Sequence, residues 1–230
     1  MKKSDLLRCF HATIPVMTGY LVLGFGYGVF ALKSGQSVSS VLLASVFIYA
    51  GSMQFVLVDL IRSQASIITT IVTTLMVNAR HLFYGISMID RYKDAGKKKP
   101  YLIFSLTDET YSLVCSKVPE GIQPITYYFY VSLFDHIYWI TGSLLGALVG
   151  KWVNFNSTGI EFAMTALFVT VFVEQWLSTK NHLPALIGLG ISILCLILFG
   201  PSNFLIPAMV GIGIVLLGMR QREVRGISHE

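Results

Sequence analysis

The chain has 230 residues, 54% of them hydrophobic and only 13% charged, with a formal net charge of +5; its mean hydropathy is +0.67. A soluble domain carries roughly a quarter charged residues. An ordinary water-facing surface is therefore excluded, as are disordered, collagen-like and secreted disulfide-framework chains. Cys9, Cys115 and Cys195 are far apart with no C-x-x-C pattern, so they read as small apolar fillers rather than a disulfide set or zinc cluster. In a membrane chain the positive charge reads as basic cytoplasmic loops, not as a nucleic-acid surface.

Eight apolar segments are predicted, at 13–32, 38–61, 65–89, 101–116, 124–150, 160–178, 183–200 and 202–219. Such runs recur at about the 18-residue length needed to cross a hydrocarbon core. The expected fold is an all-α polytopic membrane protein forming one transporter domain over residues 1–230. The basic start Met1–Arg8 is like a signal-peptide n-region. The run behind it is about 20 residues long and lacks a small-x-small cleavage site, so it is expected to stay as the first membrane segment.

Basic residues gather at Lys2, Lys3 and Arg8, then from Arg91 to Lys99, then at Arg220, Arg222 and Arg225. The positive-inside rule places all three clusters in the cytoplasm, including the N-terminus and the 90–100 loop. Three segments separate the first two clusters and five separate the last two. Odd numbers of crossings cannot return the chain to one side, so at least one segment in each half is expected not to cross. The sequence nominates 13–32, with Pro15 and G-F-G-Y-G at Gly24–Gly28, and 183–200, with Pro184, Gly188 and Gly190. Interrupted helices in corresponding halves point to an inverted-repeat transporter. The other reading is that the glycines permit close helix packing.

Polar groups inside apolar segments carry the chemistry, because a charge at the bilayer centre costs about 2.5–3.5 kcal/mol on insertion scales. In segment two, A-G-S-M-Q-F at 50–55 offers a tight contact or local break at Gly51 and Ser52, and a donor–acceptor pair at Gln54. A mid-membrane Gln is more often a helix–helix hydrogen bond than a ligand contact. In segment three, Thr70, Thr74, Asn78, His81 and Gly85 form one helical stripe; Thr69, Thr73, Arg80 and Tyr84 form a second. Arg80 and His81 either face protein or snorkel to the helix end. Segment four places Ser105, Asp108, Glu109 and Ser112 on one face, with Arg80 as natural counter-charge. The carboxylates form a structural ion pair, bind an ammonium, or carry a proton. Segment five has Asp135 and His136, with Tyr128, Ser132 and Trp139 on the Asp135 face. It also carries Gly142, Gly146 and Gly150, which admit a closely packed partner helix. Segment six opens with Glu161, which reads most simply as an acid at a helix N-terminus.

Taken in order, L-G-F-G-Y-G at 23–28, A-G-S-M-Q-F at 50–55, N-A-R-H-L-F-Y-G at 78–85, T-D-E-T-Y at 107–111 and E-F-A-M-T-A-L-F at 161–168 resemble the AzlC family. N-x-R-H-x-x-Y-G followed by T-D-E is the specific part. Glu161 departs from the Asp of many relatives. The resemblance implies the large subunit of a two-component exporter in the bacterial cytoplasmic (inner) membrane. It would move L-valine, L-isoleucine, L-leucine and, as a further candidate, L-methionine, with a small AzlD/YgaH-type membrane subunit as partner and membrane lipid around it.

The residues permit a matching site: Gly24, Phe25, Gly26, Gly51, Ser52, Gln54, Phe55, Asn78, Arg80, Tyr84, Asp108 and Tyr111 for substrate. In that reading glycine-broken backbone faces the carboxylate, Asp108 or Glu109 the ammonium, and aromatic rings the side chain. His81, Asp108, Glu109, Asp135 and Glu161 are the proton-coupling candidates. No cofactor or metal is expected. H-E-x-x-H, G-x-S-x-G and Walker A patterns are missing from the sequence, which argues against a metalloprotease, a serine hydrolase and an ATPase. A channel-like or scaffold subunit, or a carrier of another small zwitterionic or apolar solute, remains the alternative.

Overall fold

The computed structural model describes residues 3–78, 80–152, 181–200, 210–216 and a few isolated positions between 169 and 219. The described residues are helical apart from turns and short connections: α1 Lys3–Lys33, α2 Val38–Phe47, α3 Gly51–Arg62, α4 Ile67–Val77, α5 Arg80–Met88, a 3-10 turn Gly96–Lys98, α6 Lys99–Phe104, α7 Asp108–Val114, α8 Pro124–Trp152 and α9 Leu183–Phe199. Residues Met1–Thr165 and Ala166–Glu230 form two compact units. Most of segment 160–178, with Glu161, and the basic tail after 219 lie outside the described residues.

The surface is that of a membrane protein. Val22, Ile67, Ile68, Leu75, Ile86, Ile197 and Leu198 are all exposed, and α4 buries no side chain at all. In water, so much exposed aliphatic surface would drive association; in lipid it costs nothing. Among the described residues, α1 is the helix both long and apolar enough to cross a bilayer. At 1.5 Å per residue its 31 residues reach about 46 Å, more than the roughly 30 Å hydrocarbon thickness.

Unit 1 is built on the pairing of α1 with α8, and this corrects the expectation that 13–32 is interrupted. The helix runs unbroken through Pro15 and Gly24–Gly28. The glycines instead admit α8. A Cβ at Gly24 would sit 3.0 Å from the Ser143 nitrogen and the Trp139 carbonyl, and one at Gly28 would overlap the Ser143 carbonyl. From the other side, a Cβ at Gly142 would meet the Leu21 carbonyl at 2.8 Å, one at Gly146 would overlap that of Phe25, and one at Gly150 would lie 3.3 Å from the Val29 Cα. Two glycine ladders thus face each other, and the partner helix for Gly142, Gly146 and Gly150 is α1 of the same chain. Opening the helix here would leave polar backbone groups unpaired where no water reaches them. Segment 183–200 is likewise unbroken: Pro184 sits in the first turn of α9, where its missing N–H is no loss, and Gly188 and Gly190 lie inside the helix.

Among the described residues, the interruptions fall in segments two, three and four. Segment two breaks at Ile48–Ala50, where Tyr49 takes φ +42°. That left-handed conformation costs about 1–2 kcal/mol for a residue with a Cβ. The buried Tyr49 ring lies 4.2 Å from the His136 ring centroid, and this packing offsets the strain. Segment three breaks at Asn78, so its stripes do not run along one continuous helix. Segment four breaks at Ser105–Thr107; the Thr107 side chain then caps α7 by accepting from the Thr110 N–H at 3.2 Å.

Two cations fasten one end of the unit. Arg8 donates to the Glu120 carbonyl at 2.8 Å, and Arg91 donates to the Val114 carbonyl at 2.8 Å. Arg8 grips the connection between α7 and α8, and Arg91 holds the last residue of α7 and Ser116 just beyond it. The start of α1 and the turn after α5 therefore lie at the same end.

Candidate functional site

The breaks position the polar centre of unit 1. At the first, the chain at Ile48–Ala50 forms one wall of a cavity of about 340 Å³. Asn78, at the second break, and His81, Gly85 and Met88 of α5 form another wall; Tyr92, Lys99, Ile103, Phe104 and Leu106 close it. The lining is mainly apolar with a few polar groups, and the volume lies in the range of small-molecule sites. The His81 ring nitrogen Nδ1 lies 3.2 Å from the Asn78 carbonyl, so the break fixes the imidazole that faces the cavity. The Tyr84 and Tyr111 rings stack at 4.7 Å, and Tyr111 accepts from Ser87.

The third break carries a buried polar chain. Tyr20 of α1 donates to Glu109 Oε2 at 2.8 Å and also contacts the Thr107 hydroxyl. Thr107 joins Thr110 at 3.0 Å, and Thr110 donates to Asp135 Oδ2 of α8 at 2.8 Å. Asp135 is fully buried, and its Oδ1 has no hydrogen-bond partner among the described residues. Next to it, His136 bridges the Ser45 carbonyl at 3.2 Å and the Tyr101 hydroxyl at 3.1 Å. A carbonyl only accepts, so Nε2 carries a hydrogen and donates it to Ser45, while Nδ1 meets the Tyr101 hydroxyl. One turn on, Trp139 Nε1 donates to Gln54 Oε1 at 2.8 Å. Gln54 is fully buried, and its Oε1 is engaged by the α8 tryptophan, the helix–helix role weighed above ligand contact. The Asp135 face is buried as the helical spacing requires: Tyr128, Ser132 and Trp139 are all inside.

The residues expected to hold substrate do not converge on one place. Asn78 lines the cavity, together with His81, which was expected as a proton-coupling group. Asp108 and Glu109 are half-buried in the first turn of α7, which starts two residues beyond the cavity-lining Leu106. Gly24 abuts α8 backbone, and the Phe25 carbonyl faces Gly146, so neither Gly24–Gly28 nor its backbone N–H groups offer the broken-helix cradle that was expected. Phe55 packs on Tyr27 and Phe30 in the core. A Cβ at Gly26 or Gly51 would meet nothing within 4 Å. Ser52 is buried in the first turn of α3. The Arg80 side chain lies outside the described residues.

Sequence reasoning missed Tyr20, Tyr49, Tyr92, Lys99 and Thr110. Tyr20 had a signal, a phenol inside the first apolar segment, where a hydroxyl needs a partner. Thr110 stood within T-D-E-T-Y. The glycine and serine at Gly51–Ser52 offered a local break beside Tyr49, but the place of the Tyr49 ring depends on His136.

Comparisons with known proteins place the chain among membrane proteins. The family model described as AzlC protein matches residues 15–153, more than half of the chain. The branched-chain amino acid transport protein AzlC of Bacillus subtilis is 44% identical over 225 residues, covering 96% of this chain and 89% of that protein. A protein of Helicobacter pylori named as an uncharacterized membrane protein is 41% identical over 214 residues, covering 93% of this chain and 94% of its own length. The inner membrane protein YgaZ of Escherichia coli is 24% identical over 213 residues, covering 88% and 84%. No solved structure matches the chain. On the family match and the relative at 44% identity, the chain belongs to the AzlC family.

Proposed function

We propose that this chain is the large subunit of a branched-chain amino acid exporter of the bacterial cytoplasmic membrane. It moves L-valine, L-isoleucine, L-leucine and L-methionine out of the cell with a small AzlD/YgaH-type membrane subunit, driven by the proton gradient. Transport of branched-chain amino acids is what the Bacillus subtilis relative is named for. The observation that carries the reading is the cavity at the chain breaks, whose volume suits one amino acid and whose wall is mostly aliphatic and aromatic.

In this reading Ile48, Met88, Ile103, Phe104 and Leu106 receive the branched side chain. Lys99 and the uncapped start of α3 at Ala50 favour the substrate carboxylate. Asp108, just beyond Leu106, receives the ammonium. Asn78 and His81 orient the zwitterion between them. The Arg8 and Arg91 anchors at one end of the unit support a cytoplasmic N-terminus and 90–100 loop, on one side of the membrane as the charge rule requires.

The test is efflux of preloaded labelled valine and leucine from cells lacking their own exporters, with the chain expressed alone and with its small neighbour. Saturable efflux that requires both proteins supports the exporter. No efflux with both present in the membrane overturns it, and non-saturable flux turns it into a pore.

A further inference from the structure

The buried chain of hydroxyls between Glu109 and Asp135 has a property that follows from counting hydrogens. It has four links: Glu109 to Tyr20, Tyr20 to Thr107, Thr107 to Thr110, and Thr110 to Asp135. Each link needs one hydrogen. Tyr20, Thr107 and Thr110 bring one hydroxyl hydrogen each, and an ionised carboxylate brings none. With both carboxylates ionised, three hydrogens must serve four links, and one oxygen pair is left facing without a hydrogen between. The pair in that position is Tyr20 and Thr107, the closest in the chain, and both residues are buried.

We propose that Glu109 and Asp135 hold a single proton between them and exchange it through Tyr20, Thr107 and Thr110. This proton path rests on the exporter reading only for its role in transport; the shared proton stands by itself. The balance is simple. When Glu109 is protonated, its hydroxyl donates to Tyr20, Tyr20 to Thr107, Thr107 to Thr110, and Thr110 to ionised Asp135. When the O–H bond of Glu109 breaks, each oxygen passes its hydrogen one place along. Asp135 gains a proton, Glu109 becomes the carboxylate, and all four links are reversed. No hydrogen is created or lost, and one negative charge has moved from Asp135 to Glu109.

The geometry suits this use. The wire joins three elements, α1, α7 and α8, and its middle is dry: Tyr20, Thr107, Thr110 and Asp135 are all buried. Glu109, at the other end, is half-buried. Among the described residues, the titratable groups facing it are Tyr49 from the α2–α3 break, Asp108 beside Glu109, His136 beside Asp135, Tyr101 of α6, and Tyr127 and Tyr138 on α8. His136 is turned away, held by Ser45 and Tyr101.

The experiment is infrared spectroscopy of the purified chain in lipid vesicles at neutral pH, reading the C=O stretch of protonated carboxylic acids. Wild type should show such a band. Glu109→Gln and Asp135→Asn should each abolish it, because either amide supplies the fourth hydrogen permanently and lets the remaining carboxylate ionise. A band that survives one of these variants belongs to an independently protonated acid and overturns the proposal, as does a wild type without the band.

Thr110→Val cuts the wire next to Asp135. Its band should shift to higher frequency, as for a carboxyl with no partner, and should persist when Glu109→Gln is added. A band that Glu109→Gln still abolishes in that background overturns the path through Thr110. Should an amide variant fail to elute as folded protein, Tyr20→Phe decides: it leaves two hydrogens for the two remaining links and should abolish the band, which an independently protonated acid would keep. If the infrared results hold but wild type shows no pH-driven efflux, the wire stands and the exporter reading fails. If wild-type efflux is pH-driven and Thr110→Val loses it, both stand.

Discussion

Replacing Gly146 by Ala tests the glycine ladder between α1 and α8. The added Cβ would overlap the Phe25 carbonyl oxygen and lie 2.7 Å from its carbon and 2.8 Å from Cα. Ordinary contacts of that kind begin near 3.4 Å, so the helices must part by the better part of an ångström. All the nearby atoms are backbone, and no side chain can rotate out of the way. A gap of 0.5–1 Å forfeits roughly a quarter to a half of each dispersion contact along the seam, and overpacking of this sort costs about 1–3 kcal/mol. Gly26→Ala is the matched control. It lies on the same helix pair, but a Cβ there meets nothing within 4 Å. It should gain up to about 1 kcal/mol from helix propensity.

The assay is thermal unfolding of purified protein in detergent at one fixed scan rate, which matters because such unfolding is usually irreversible. For a chain of this size 1 kcal/mol moves Tm by about 2–4 °C. Gly146→Ala should therefore fall by about 2–12 °C, while Gly26→Ala stays level or rises. Equal losses in the two variants, or an unchanged Gly146→Ala, would refute the claim that α1 and α8 meet through backbone.

Other predictions address separate parts of the molecule. Trp139→Phe leaves the Gln54 carbonyl oxygen without its indole donor, and should lower stability by about 0.6–2 kcal/mol in the same assay; no change would mean Gln54 finds another donor. Burial pushes the Tyr92 hydroxyl well above the ordinary tyrosine value, and that hydroxyl has no partner among the described residues. The raised value means the folded chain holds this proton more tightly, so its contribution is fully present below about pH 10 and is lost as pH rises through the folded value. Tyr92→Phe should match or exceed wild-type stability at pH 7 and fall less steeply above pH 10; equal alkaline loss would assign the effect elsewhere. Asp108→Asn should raise the KM for efflux by roughly ten- to a hundredfold, the worth of a charged hydrogen bond of about 1.5–3 kcal/mol. A change in maximal rate alone would remove Asp108 from substrate binding. Arg91→Ala frees the end of α7 from its cation and should cost about 0.3–1 kcal/mol, read as faster hydrogen exchange around residues 110–116.

Composition alone decided that the chain lives in a membrane, because too few charges exist to clothe a water-soluble surface. Periodicity decided that the Asp135 face is buried, since one stripe of α8 carries Tyr128, Ser132, Asp135, Trp139 and the glycines. The motif spacing around N-A-R-H-L-F-Y-G and T-D-E was enough to point to the family. What the sequence could not say was which glycines break a helix and which bring helices together. Both uses need the same residue, and the choice depends on whether another backbone lies opposite. For Gly24 and Gly28 one does, so α1 stays whole. Breaks came instead in segments two, three and four; the first falls at Ile48–Ala50, just before the Gly51–Ser52 pair that the sequence offered as either break or tight contact, and the strained backbone of Tyr49 there is offset by a ring contact with His136 nearly ninety positions away. The same holds for the wire from Glu109 to Asp135: its oxygens come from α1, α7 and α8, and only tertiary packing sets them within hydrogen-bond distance, where a proton can be shared.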